Sequence, residues 1–239
     1  MDESIQKFSA PEWGEAVAPA MSPWASLARI FFSPRSVFEA LSPRPTYLIP
    51  LLLILVVHVG VGYFITGSDM VREATIAKLE AKGAPQEQID ATEKMMDSPL
   101  VRVIGTVGAG IGVAFVVVLG AGLLYFMANL MLGAKLTFAH FLCASCYGTV
   151  VGLVDTLGRT ALMLAKNTLH VQTGLGAFFG SDPGFPVRIL DTLTSPLVLW
   201  AAAIQALGVS VFAKKGFGFG VLCALPGLVI AAILSGLQG

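Results

Sequence analysis

Between Arg102 and Lys135 no residue is charged. A helix crosses the hydrocarbon core of a bilayer with about 20 apolar residues, so this run is longer than one crossing needs. It must tilt, or project into water at an end. Three other uncharged runs have spanning length: Thr46 to Thr66, Thr192 to Ala213 and Phe217 to Leu237. A fifth run, Phe138 to Ala165, is apolar but carries Asp155 and Arg159. Over the whole chain 55% of residues are hydrophobic and 13% charged, where a soluble domain carries roughly 25% charged residues. One water-soluble core of this size could not bury that apolar surface. The expectation is an all-α, polytopic membrane helix bundle of about five transmembrane helices over residues 45–239.

Ahead of the first span the chain divides in two. Residues 1–22 read as a polar tail; residues 1–15 carry Asp2, Glu3, Lys7, Glu12 and Glu15 and no apolar stretch. No cleavable signal peptide is expected there, and the first span serves as its own insertion signal. Residues 23–44 mix Trp24, Ile30, Phe31, Phe38 and Leu41 with Arg29, Arg35 and Glu39, and Pro34 divides them into two short helices. This reads as an N-terminal interfacial helix segment lying on the membrane surface. A cap packed on the bundle is the alternative.

Between the first two spans lies the one sizeable polar region, 67–99. Arg72, Lys78, Lys82 and Lys94 stand against Asp69, Glu73, Glu80, Glu87, Asp90, Glu93 and Asp97. Gly83-Ala84-Pro85 splits it into an extramembrane helical hairpin. Such a charge run is a solvated face, or a surface that docks a partner. Lys135, Lys214, Lys215 and the N-terminal Lys7, Arg29, Arg35 and Arg44 all fall on one side of a five-span chain. The positive-inside rule makes that side cytoplasmic. The N-terminus is then cytoplasmic, and the hairpin, the 166–188 loop and the C-terminus lie outside, in a multi-pass protein of the inner (cytoplasmic) membrane. With 15 basic and 15 acidic residues the net charge is zero, which gives no electrostatic case for nucleic acid, whose binding needs a clustered basic face. The three cysteines all sit in apolar runs and form no disulfide framework.

Charges at membrane depth are costly, so they face the bundle interior and pair. Asp155 and Arg159, four apart on one helix, can do so. Either they form a structural pair near the outer membrane edge, with Arg159 reaching the headgroups, or they mark an ion or proton pathway. His58, Asn129 and Gln205 are lone polar residues in apolar runs, suited to interhelical hydrogen bonds of about 1 kcal/mol each. His140, Cys143 and Cys146 lie in one sector of a helix and offer three soft ligands. A zinc site wants a fourth ligand, and buried cysteine is ordinarily a small apolar residue. Gly105, Gly108 and Gly112 form one helical face, and Gly148 and Gly152 another, so that backbones can approach closely. The partner helix belongs to the same chain or to another.

No catalytic constellation is present. There is no phosphate-binding loop, no His-Glu-x-x-His and no Gly-x-Ser-x-Gly. The glycine-rich Gly174 to Gly180 lacks the Lys-Ser/Thr ending and reads as a mobile outer connection. No cofactor and no enzymatic activity are expected.

Three stretches carry a family resemblance: Ile30-Phe31-Phe32-Ser33-Pro34-Arg35-Ser36-Val37-Phe38-Glu39-Ala40-Leu41; Leu136-Thr137-Phe138-Ala139-His140-Phe141 leading to Tyr147-Gly148; and Leu193-Thr194-Ser195-Pro196-Leu197-Val198-Leu199-Trp200, with Ala206 to Ser210 and Lys214-Lys215 before the last span. From about residue 25 onward the chain resembles the Yip family, and within it the bacterial branch. The resemblance implies five spans, a cytoplasmic N-terminus and an outward C-terminus. Eukaryotic members bind prenylated Rab-type GTPases and carry an acidic-Leu-Tyr-Gly-Pro motif before the first span. That motif is missing here, so binding of a Rab-type GTPase is not carried over. The functional expectation is a non-enzymatic scaffold or assembly and trafficking factor. Its partners are the lipid bilayer and other integral membrane proteins, or a second copy of itself. The alternative is a small transporter or channel with a polar path around Asp155 and Arg159.

Overall fold

The computed structural model describes residues 21–169, 171–180 and 184–237, so residues 1–20 of the expected polar tail lie outside it. All regular structure among the described residues is helical. The N-terminal segment forms α1 (Pro23–Arg29) and α2 (Pro34–Leu41), each opened by a proline at its first position, where the missing N–H costs nothing. The first span is α3 (Leu48–Thr66). The hairpin is α4 (Asp69–Ala81) and α5 (Gln86–Met96). The second span is α6 (Pro99–Tyr125), continued by a π-helical turn over Phe126–Met131; the third is α7 (Phe138–Lys166). Then follow α8 (Phe185–Thr194), α9 (Pro196–Phe212) and α10 (Phe217–Leu237).

Four of these helices are long and apolar enough to cross a membrane. The expected fourth span differs from the sequence reading. Thr192 to Ala213 is no single helix: α8 and α9 meet at Ser195 with a 58° bend, and only as a bent pair do they make a fifth span. Pro196 is the cause. A residue before proline is driven to extended backbone, and Ser195 sits at ψ 120°.

The third span is the core of the bundle. It packs on α9, α6 and α3, while α3 otherwise pairs with α6, and α10 with α9 and α8. In the most apolar window of α7, 61% of residues are buried, against 11% in α3 and 22% in α6 and α10. The outer helices thus leave most of their surface for lipid, and α7 is buried by protein. Phe141, Cys143, Cys146, Tyr147 and Val151 are fully enclosed. The apolar face of α2 goes into the same core. Val37 and Phe38 are fully buried, and the Phe38 ring meets Tyr147 and Phe212 edge-on at 6.0 and 5.5 Å. Trp24 and Phe32 remain exposed.

Turn chemistry closes the helix ends. Gly83, at φ +69°, ends α4: Ala84 N–H donates to Leu79 O and Gly83 N–H to Glu80 O, which is a Schellman cap. Arg72 then ties the hairpin together, reaching Glu93 at 2.6 Å and Asp97 at 3.6 Å. The same cap ends α9, but there the left-handed residue is Lys214, at φ +52°. Its N–H donates to Val211 O, and Lys215 N–H donates to Ser210 O. A side chain in that conformation costs about 1 kcal/mol.

Close backbone approach joins α10 to α9. A Cβ on Gly220 would collide with the Ala206 carbonyl and the Ser210 hydroxyl, and Gly220 N–H donates to Ser210 Oγ at 3.1 Å. Gly220→Val should therefore prise α10 off α9. The variant is expected to lose its monodisperse peak in detergent gel filtration, while Gly218→Val, which meets no atom within 4 Å, keeps it.

Candidate functional site

Asp155 and Arg159 do pair, Arg159 Nε donating to Asp155 Oδ2 at 2.8 Å. Seventeen residues of helix separate Phe138 from Asp155, about 26 Å at 1.5 Å per residue, so the pair lies near the far edge of a hydrocarbon core about 30 Å thick. The hairpin end of the bundle is there: Ala74 and Lys78 of α4 line the same cleft as Asp155 and Arg159, a cavity of about 480 Å³.

The pair is only half of the arrangement. Arg159 Nη1 also donates to Val171 O at 3.1 Å and to Asp191 Oδ2 at 3.4 Å, and Nη2 donates to the Thr173 hydroxyl. Asp191 in turn accepts from Gly174 N–H at 2.7 Å and Thr173 N–H at 3.4 Å. Thr173 Oγ1 donates to Asp155 Oδ1 at 3.3 Å and lies 3.0 Å from Ser195 Oγ. One guanidinium thereby binds two carboxylates and the loop after α7, and Thr173 of that loop reaches Ser195 at the break between α8 and α9. The Asp191 side chain is 5% exposed, Asp155 13% and Arg159 22%, so solvent screens these contacts weakly.

The loop is shaped to Asp191. A Cβ on Gly176 would stand 2.6 Å from the Asp191 Cβ, and one on Gly174 would strike the Asp191 carbonyl. Leu175 N–H is taken by Thr194 Oγ1 at 2.8 Å. The glycine-rich loop, expected as a mobile connection, is held by side chains of α8 at its Gly174–Phe178 portion. Sequence reasoning missed Asp191 and Thr173. Asp191 stands one residue ahead of the expected fourth span, and its signal was the Asp-Thr-Leu-Thr-Ser-Pro run in which a charge and a proline border an apolar helix.

The other polar residues stay apart from this cluster. His58 Nδ1 lies 2.9 Å from Ile54 O one turn back. Asn129 works at the opposite end, its amide donating to Leu136 O at 2.7 Å and accepting from Leu136 N–H at 3.2 Å. Gln205 lies across Gly148, where a Cβ would overlap its side chain. None of the three lines the cleft of Asp155 and Arg159. Nor do His140, Cys143 and Cys146 converge. His140 is engaged by Thr137 Oγ1 at 2.8 Å and Ser42 O at 3.1 Å, and Cys143 Sγ by Thr46 O at 3.6 Å. No group of three metal-capable side chains assembles among the described residues.

The glycines separate too. Gly148 and Gly152 face α9, and a Cβ on Gly105 would stand 2.8 Å from Thr66 of α3, but one on Gly108 or Gly112 would meet no described atom within 4 Å. At 100° per residue the α6 face toward α3 is Gly105, Thr106, Ala109 and Gly110, and Gly108 and Gly112 lie on its flank.

The Yip1 domain family model matches residues 28–236. The chain belongs to the Yip1 domain family. No curated protein and no solved structure gives a match. The match takes in α2 through nearly all of α10, so the clasp at Asp155, Arg159 and Asp191 and the α2 face on the bundle both lie inside the Yip1 domain.

Breaking one member of a buried ion cluster costs roughly 3–5 kcal/mol, because the remaining charge is stranded. Asp191→Ala takes from Arg159 one of its two carboxylates and leaves two loop amides without their acceptor, and is expected to lie in that range. Asp155→Asn keeps a hydrogen-bond acceptor and leaves Asp191 in place, so it should cost less than half as much. Thermal unfolding in detergent ranks the two; an equal loss would contradict the central place of Asp191.

Proposed function

We propose that this Yip1-domain protein is a non-enzymatic membrane scaffold that assembles with other membrane helices, or with a second copy, through the flank of α6. The carrying observation is the division of labour among its small and polar residues. Asn129, Asp155 and Arg159 hydrogen-bond to this chain's own loops, His58 to its own helix one turn back, and Gln205 packs across Gly148, while Gly105 and Gly148 seat neighbouring helices. Gly108 and Gly112 are engaged by nothing among the described residues. They lie on a helix whose Ile104, Val107, Ile111 and Phe115 are exposed. Close helix approach in lipid runs on such small-residue faces.

The basic end of the bundle supports the proposed orientation, with the N-terminus cytoplasmic in a bacterial inner membrane, since Lys135, Lys214, Lys215 and Arg35 gather there and the acidic hairpin lies opposite. Gly108→Leu combined with Gly112→Leu should leave the protomer folded and abolish its oligomer or partner complex in cross-linking and detergent sizing. Gly148→Leu, by contrast, should destroy the fold. An unchanged complex in the double variant removes α6 as the assembly face.

A second reading rests on the break at Ser195 beside the open cleft, since transporters place their sites at discontinuous helices. It expects proteoliposome flux of a small ion that falls at least tenfold in Asp155→Asn. Absence of flux, or flux unchanged by the substitution, removes it.

A further inference from the structure

At the opposite end from the clasp lies a second cavity, of about 560 Å³, between α2 and the turn that joins α9 to α10. Arg35, Lys214 and Lys215 line it against a single carboxylate, Glu39. Glu39 is already bound to Arg35 at 2.8 Å, and neither lysine forms an ion pair among the described residues. Leu207 and Val211 of α9 give the cavity an apolar floor, and the half-exposed Phe217 stands at its edge. The site therefore has positive charge at the level where a span leaves the bilayer, above a surface that suits hydrocarbon.

The backbone beneath it is costly in a telling way. At the turns after α4 and after the π-helical segment, the left-handed position is glycine, Gly83 and Gly133, both at φ +69°. At the α9 cap it is Lys214, although a glycine stands two residues on at Gly216. The α7 cap also holds a non-glycine, Asn167 at φ +48°, but asparagine tolerates that region where lysine does not. Glycine would relieve the strain at Lys214, and strain held there is a pointer to function. The lysine in that turn directs a charge to the cavity that glycine could not supply. Lys215 is steadied by the Phe219 ring, its ammonium 5.0 Å from the centroid.

We propose that this cavity is a binding site for the phosphate of an anionic phospholipid headgroup, held by Lys214 and Lys215 with Arg35 at the rim, its upper acyl carbons resting on Leu207 and Val211. The proposal needs only that the chain spans a bilayer, and it stands or falls separately from the α6 assembly face. Each basic group at a membrane surface strengthens binding to anionic lipid about fivefold. The attraction falls with added salt.

The test uses the full-length protein, delipidated in neutral detergent and titrated with phosphatidylglycerol, phosphatidylcholine or inorganic phosphate while its thermal midpoint is followed. Phosphatidylglycerol is expected to raise the midpoint by several degrees, phosphatidylcholine and inorganic phosphate not. Lys214→Gly is the informative variant, because it relaxes the backbone: its lipid-free midpoint should equal or exceed that of the parent, while its phosphatidylglycerol affinity drops about fivefold. Adding Lys215→Gln should bring the loss to about 25-fold. Lys82→Gln, an exposed charge in the hairpin, should change nothing. Three results overturn the proposal: a double variant that keeps the parent's phosphatidylglycerol affinity, an equal response to phosphatidylcholine, and an equal shift with inorganic phosphate, which would make the site one for a free anion.

Discussion

In hydrocarbon every backbone N–H and C=O must find its partner inside the protein, because water is not there to take it. A continuous α-helix meets that demand by itself. At two of the connections between this chain's helices a side chain takes over that task. At the π-helical end of the second span, Asn129 accepts the N–H of Leu136 and donates to its carbonyl, closing the turn into α7. In the loop between α7 and α8, Asp191 takes the amides of Thr173 and Gly174 and binds Arg159. The fold thus depends on a few polar side chains spent on backbone, and these are the residues a sequence reader first suspects of function.

Burial follows the same logic from the apolar side. The third span carries two charges and is the least hydropathic of the candidate spans, and it is the one the bundle encloses. The most apolar helices, α3, α6 and α10, stand outside it toward lipid. Lipid tails are as apolar as leucine, so no hydrophobic force gathers the outer helices. Fit gathers them: Gly105 against Thr66, Gly148 against Gln205 and Gly220 against Ala206. The α2 helix completes the core by placing Phe38 where Gly208 leaves room for its ring.

The first, second, third and fifth spans, the hairpin with its Gly83 turn and the pairing of Asp155 with Arg159 were legible because each depends on residues close in sequence. Run length, a glycine in a turn and an i, i+4 spacing are local quantities. The third member of the ion cluster was not legible: Asp191 lies 32 positions from Arg159, and only the fold of the intervening loop brings them together. The bend at Ser195 was half legible, since Pro196 announces a break but not that two polar elements will gather round it. The glycine faces divided for a related reason. Their spacing specifies a stripe on a helix, and which side of that stripe meets a neighbour depends on how the helix is rotated in the bundle.

The sequence by itself determined that this chain is a multi-span helical membrane protein, because apolar run length and the water-free interior leave little alternative, and its pattern over residues 28–236 places it in the Yip1 domain family. Tertiary structure alone decided three things. It placed the weakest hydrophobic span at the centre, it made Arg159 the tie between two carboxylates and a broken helix, and it left Gly108 and Gly112 facing outward. Each of these is settled by helix rotation and depth. Those variables are set by side-chain fit between elements far apart in the chain, and no local pattern encodes them.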